Sequence, residues 1–365
     1  MLTDGFGAGQ LDAIAAARYP RKSNTTGPWK KMLMLKPAII LIVTAILTTA
    51  CTEQPPPAAE PPTTPSPSAL LEPGAELISA LAIVFTEGPA ADAEGNVYYT
   101  EITGNRIIKY MPGGEWSEFR RPSRRANGLA FDPQGRLLAC EGAAEGGGRQ
   151  VTRTDMSSGE VEVLADSYEG KRLNSPNDIT VSREGRIYFT DPRYGSQDGR
   201  ELDTEDVYMI DTNGALTRVL TKPDITKPNG IGISPDGKTL YVADTINEPR
   251  EARVMAFDLA ADGTPSNGRK HYSFGAGRGI DGMTIDTAGN IYGAAGSNNN
   301  PPENLAGVYV ISPQGELVGR IPIPEDSVTN CTFGGKDLRT LYVTAGKHLY
   351  QIRTKNPGSL AYPPL

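Results

Sequence analysis

Six polar residues recur at one offset: Glu87, Asn127, Asn177, Asn229, Asp281 and Asn330 each stand eight positions ahead of the start of a repeated segment. All six carry side-chain oxygens, two as carboxylates and four as neutral amides. Hard divalent cations such as Ca²⁺ and Mg²⁺ take oxygen donors of this kind, and two carboxylates balance the charge of one ion. Brought together by the fold, these residues would form a metal site. Asn and Asp ahead of Gly also serve as turn residues. That alternative explains the polarity but not the Glu of Glu87-Gly88-Pro89, and it would scatter the positions among Ser, Asp and Gly. Other site chemistries are poorly supplied. The only histidines are His271 and His348, which disfavours a His-based Zn²⁺ site, and no metalloprotease helix motif occurs. A Ser/His/Asp triad is hard to assemble without a Gly-x-Ser-x-Gly segment. Cys140 and Cys331 lack the nearby His a catalytic thiol needs and read as buried free thiols.

The elements that must position the six are legible as repeats. GNVYYTE from Gly95, GRLLACE from Gly135, GRIYFTD from Gly185, GKTLYVAD from Gly237, GNIYGAA from Gly289 and LRTLYVTA from Leu338 start 40, 50, 52, 52 and 49 residues apart. That is the period of a propeller blade, not of a helical solenoid. The third unit divides into four short strands, at 179–182, 187–191, 206–211 and 215–221, parted by turn sequences such as Ser-Arg-Glu-Gly. The last unit ends after HLYQIR (348–353) with only three strands, so ELISALAIV (76–84) is the expected donor of a fourth, closing the ring and removing exposed sheet edges. The expected fold is an all-β, six-bladed β-propeller with an N-terminal strand completing the last blade. In it the innermost strand of each blade lines the central channel, so the six polar residues converge on the axis.

Composition agrees. Gly 41 and Pro 30 with 22% charged residues describe a turn-rich β protein. A net charge of −7 argues against a polyanion-binding surface, and no Lys/Arg run suggests a phosphate-tracking groove, so nucleic acid is not an expected partner. Ahead of the propeller, Lys30, Lys31 and Lys36 flank Met32 and Met34 and precede a short apolar stretch from Ile39 to Leu47 that leads to Thr48-Thr49-Ala50-Cys51. This order resembles a bacterial lipoprotein signal, with Thr48 where such signals usually carry Leu and with lipid on Cys51. Residues 1–51 are thus expected to be an N-terminal extension and lipoprotein-type signal, 52–75 a Pro-rich semi-rigid spacer, and 76–358 the propeller. The protein is expected to be exported, periplasmic or on the outer membrane, touching the membrane through its lipid anchor alone.

Five segments carry a family resemblance: FTEGPAAD around Glu87, RLNSPNDITVSREGRIYFTDPRYG (172–195), KPNGIGISPDGKTLYVADT (227–245), GIDGMTIDTAGNIY (279–292) and TNCTFGGKDLRTLYVTA (329–345). In this order the chain resembles the gluconolactonase and regucalcin-like, or senescence marker protein, family. The resemblance implies one divalent ion on the axis, Ca²⁺ first, with Mg²⁺, Mn²⁺ or Zn²⁺ as the others. Glu87, Asn229 and Asp281 fall on the family's metal ligands, and Asn177 on a position that binds metal in some members and substrate in others. Asp281 also falls on the residue regarded as general base, and Asn127 and Asn330 complete the ring as substrate contacts. The implied activity is metal-dependent opening of a small-molecule sugar lactone. The alternatives are phosphotriester cleavage, as by diisopropylfluorophosphatase-like propellers, and a binding propeller with no catalysis. The polar loops 141–149, 191–206 and 296–307 are candidates for a substrate rim, with Tyr194, Arg193 and Arg250 as groups that could bind hydroxyls or a carboxylate.

Overall fold

The computed structural model describes residues 69–82 and 85–362. The signal, Cys51 and most of the Pro-rich spacer lie outside the described residues. Six four-stranded antiparallel sheets form the blades. Their innermost strands are Thr86–Ala91, Ala126–Phe131, Ile179–Val181, Pro228–Ile233, Met283–Ile285 and Val328–Gly334. The third blade continues with Ile187–Asp191, Asp206–Ile210 and Leu216–Leu220, as its sequence pattern predicts. Among the described residues there is no α-helix.

The repeated apolar run is the second strand of each blade. Val97–Glu101, Leu137–Glu141, Ile187–Asp191 and Ile291–Ala295 are buried at every position. A strand sandwiched between two neighbouring blades has no solvent face, so strict alternation gives way to a continuous apolar run. The outer strand pays no such constraint: Trp116–Arg120 exposes its first three residues, and Trp116 lies on the surface. Cores form between blades, where Tyr292 meets Phe333 edge-on with ring centres 5.1 Å apart, and within blade three Phe189 stacks on its cross-strand partner Tyr208 at 5.4 Å.

Closure follows the expected device. Ile78–Ala82 pairs antiparallel with His348–Arg353, matching Ile78 to Gln351 and Ala82 to His348. Shortening the chain to start at residue 85 would leave His348–Arg353 as an open edge. Such a variant is expected to melt about 5 °C lower or more and to scatter light on heating; an unchanged calorimetric transition would show the closing strand to be dispensable.

Each inner strand runs from its ring residue at one end of the channel, the upper end, to a turn at the lower end. The C-terminal segment crosses the lower end. Ser359 N donates to Ile285 O at 2.8 Å, Thr287 N to Pro357 O at 2.9 Å, and Tyr362 packs on Phe131. Leu70 O accepts from Lys355 N at 2.8 Å, and Leu71 pairs with Thr354, so the N-terminal approach lies at this lower end too.

Candidate functional site

Adjacent inner strands approach unusually closely at the ring, because glycine follows four of its six members: Gly88, Gly128, Gly230 and Gly282. Gly128 N donates to Asn177 O at 2.7 Å, and Thr100 Oγ1 to Asn127 O at 3.0 Å. A Cβ on Gly230 would stand 2.6 Å from Asp281 O. Blade-to-blade backbone contact therefore sets the ring's diameter.

Five of the six ring residues line one cleft of about 700 Å³ at the upper end: Glu87, Asn127, Asn177, Asn229 and Asp281, with Tyr194 on the rim. That volume lies in the range of small-molecule sites. Asn330 does not join them. It is buried, its Nδ2 donates to Asp178 Oδ1 at 3.2 Å, and it lines a chamber of about 100 Å³ between the ring and the C-terminal segment. In this arrangement it lines that chamber and not the cleft in which a substrate contact is expected. Of the rim loops, residues of 141–149 and 191–206 reach the cleft, whereas those of 296–307 and Arg250 do not line it. Arg250 instead donates to Ala276 O at the surface.

The floor of the cleft is electrostatically loaded. Burial, and next the neighbouring Asp281 carboxylate, push Glu87 well above the usual carboxylate range. Burial also raises Asp281, opposed by the Arg278 guanidinium and by Asn229. Asn229 Nδ2 donates to Asp281 Oδ1 at 2.7 Å, and Arg278 Nη2 to Asp281 Oδ2 at 2.6 Å. Arg278 is fixed in turn by Gly296 O and Val328 O. Below them Asp178 is pushed up to about 7 by burial, despite backbone N–H donors from Ile231 and Ile179.

The donor set fits a hard divalent cation. Asn229 Oδ1 is buried without a hydrogen-bond partner, an acceptor in want of a positive group. The Asp281 carboxylate lies close enough to raise the proton affinity of buried Glu87, which a cation between them would relieve. Among the described residues no cluster of three or more His, Cys, Asp and Glu gathers in a metal-holding group. The amide oxygens of Asn177 and Asn229 would therefore have to complete a set begun by Glu87 and Asp281.

Sequence reasoning passed over three charged residues here. Arg278 stands three positions before Asp281, Arg125 two before Asn127, and Asp178 directly after Asn177. Arg125 lines the cleft and donates to Ile102 O, Thr103 O and Glu145 O. The acids that end the repeats also acquire a use. Asp191 accepts from Asn174 N and Ser175 N at 2.7 Å each, and Asp244 from Thr226 N and Lys227 N at 2.8 and 2.7 Å. Each thereby grips the backbone two or three residues ahead of its own blade's ring residue.

Comparison with known proteins agrees with this architecture. Residues 85–347 match the SMP-30/Gluconolactonase/LRE-like region. A gluconolactonase of Zymomonas mobilis is 30% identical over 308 residues, covering 77% of this chain and 82% of that one. A pentonolactonase of Haloferax volcanii is 28% identical, covering 71% and 80%. Among solved structures, a gluconolactonase from Xanthomonas campestris superposes with a TM-score of 0.69 at 31% identity, over 80% of this chain and 93% of that one. A calcium-binding protein, regucalcin, from Agrobacterium tumefaciens shares the fold, with a TM-score of 0.62 at 22% identity over 78% and 95%. With the axial ring, the six blades and a match that spans most of the propeller, the chain belongs to the SMP-30/gluconolactonase/LRE-like family.

Proposed function

We propose that this protein hydrolyses sugar lactones in the upper cleft. The observation that carries the proposal is the convergence of Glu87, Asn229 and Asp281 on the cleft floor, with both Asp281 oxygens already oriented by Arg278 and Asn229. The lactonase names of the relatives support the substrate class.

Glu87, Asn177, Asn229 and Asp281 would hold one divalent ion, Ca²⁺ first, which when bound polarises the lactone carbonyl. Asp281 accepts a proton from the attacking water; its fixed geometry lowers the cost of orienting the base. Asn127 and Asn177 offer amide donors and acceptors to ring hydroxyls. Tyr194, half-exposed with Lys227 Nζ 4.6 Å from its ring centre, presents a phenol at the rim. Phe85, Ile102, Ala143 and Ala144 form apolar wall against which a sugar ring can displace water. The proposal extends to place: an exported protein held at a membrane by lipid on Cys51, which mass spectrometry of the mature N-terminus would check.

The test is turnover of glucono-1,5-lactone and a small lactone panel by the full chain, before and after exhaustive chelation and with each divalent ion restored. Chelation is expected to remove activity and Ca²⁺ to restore it. Undiminished turnover in the chelated protein would defeat the metal assignment, and no turnover of any lactone under any condition would defeat the substrate class.

A further inference from the structure

The segment leading into Asn177 is held from two sides by one tripeptide. Asp191-Pro192-Arg193 follows the second strand of blade three; Asp191 takes the backbone N–H groups of Asn174 and Ser175, and Arg193 takes the carbonyl of Asn174 at 2.8 Å. Arg193 is buried although it is an arginine. Its guanidinium also donates to Ser196 O and Asp198 O, both at 2.7 Å, and among the described residues no carboxylate lies within ion-pair distance of it. A planar fork that serves three backbone carbonyls in three directions is a shape-matched clip, and a buried cation left with fewer partners is costly. Blade four shows the contrast. There Asp244 also grips the approach to its ring residue, but its arginine partner, Arg253, pairs with Asp244 itself.

We infer that Arg193 is a positioning residue for the cleft: it locks the rim residues 195–198 to the approach segment 174–176, so that the rim wall beside Tyr194 and the ring residue Asn177 keep a single relative placement. Both parts line the cleft, through Ser175 and Asn177 on one side and Tyr194, Gly195, Ser196 and Asp198 on the other. The inference rests on the lactonase reading only in its kinetic arm.

The experiment compares Arg193→Ala and Arg193→Lys with the unaltered full chain, by amide hydrogen exchange without substrate and by steady-state kinetics on glucono-1,5-lactone. In both variants, exchange is expected to accelerate about tenfold or more in peptides covering 173–178 and 194–200, with the inner strands of blades four and five unchanged. KM is expected to rise about tenfold, with kcat changed much less, because misplacement of the binding wall weakens substrate capture. Lysine is not expected to rescue, since a point charge cannot serve three divergent carbonyls. Three outcomes overturn the inference: unaltered exchange in the two peptides, acceleration spread evenly over all six blades, or restoration of KM and exchange by lysine. If the unaltered chain opens no lactone, the exchange pattern alone decides, and the function reading fails separately.

Discussion

Asp281→Asn is expected to lower kcat/KM for lactone hydrolysis by about 10³-fold while moving the melting temperature by no more than a few degrees. Positioned general bases contribute on the order of 10² to 10⁴, and an amide cannot accept the proton. The fold should tolerate the change. Asp281 accepts from Asn229 Nδ2 and Arg278 Nη2, and Asn229 Oδ1 is otherwise unpartnered. An Asn at 281 keeps its own oxygen for Arg278, and rotating the Asn229 amide by half a turn aligns its free oxygen with the new NH₂. Removing the Asp281 charge also relieves buried Glu87. Steady-state kinetics and calorimetry on the same preparation decide the matter. A loss smaller than tenfold would remove Asp281 from the proton transfer, and a collapse in melting temperature would mark it as structural.

Gly88→Ala carries the largest expected effect on stability. Gly88 has φ of +30°, where a Cβ is disfavoured, and the added atom would stand 2.0 Å from Asn127 O and 2.6 Å from the Gly128 Cα. Both obstacles are backbone, so no rotamer change relieves them, and blades one and two would have to separate at the ring. A cost of about 3 kcal/mol or more is expected as a lower urea midpoint with little change in slope. Gly113→Ala is the control, because its Cβ would meet nothing within 4 Å and the backbone is ordinary there. That variant should stay within about 1 kcal/mol of the parent. Equal midpoints for the two would refute the view that backbone contact sets the ring.

The blades were legible because their cause is local and repeated. A strand buried on both faces is largely apolar, with only its last positions polar, so VYYTE, LLACE and IYFTD announce themselves one blade at a time. The closing strand was legible from a deficit, three strands where four were due. The ring was legible by type and offset, but not by direction. Asn177 and Asp178 are neighbours, and their side chains fall on opposite sides of the ring plane, one in the cleft and one in the chamber beneath. Asn330 goes with Asp178 for the same reason: an offset locates a residue along a strand's entry, while a twist of backbone decides which chamber its side chain enters. Arg278 and Arg125 escaped because their role depends on carbonyls in other blades, Val328 O for one and Ile102 O for the other. Nothing in residues 354–362 announces that they turn beneath the channel rather than away from it.

The seat of the two ends of the described propeller has a practical meaning. Leu70 and Leu71 are pinned beside Lys355 and Thr354, and the last described residue, Tyr362, packs on Phe131 below the ring. A partner fused directly at residue 69 or directly after residue 362 would therefore begin on the underside, with the propeller between it and the upper cleft. Propellers trimmed to residues 69–362 and grafted to a solid support at those two positions would present their mouths to the flowing solution.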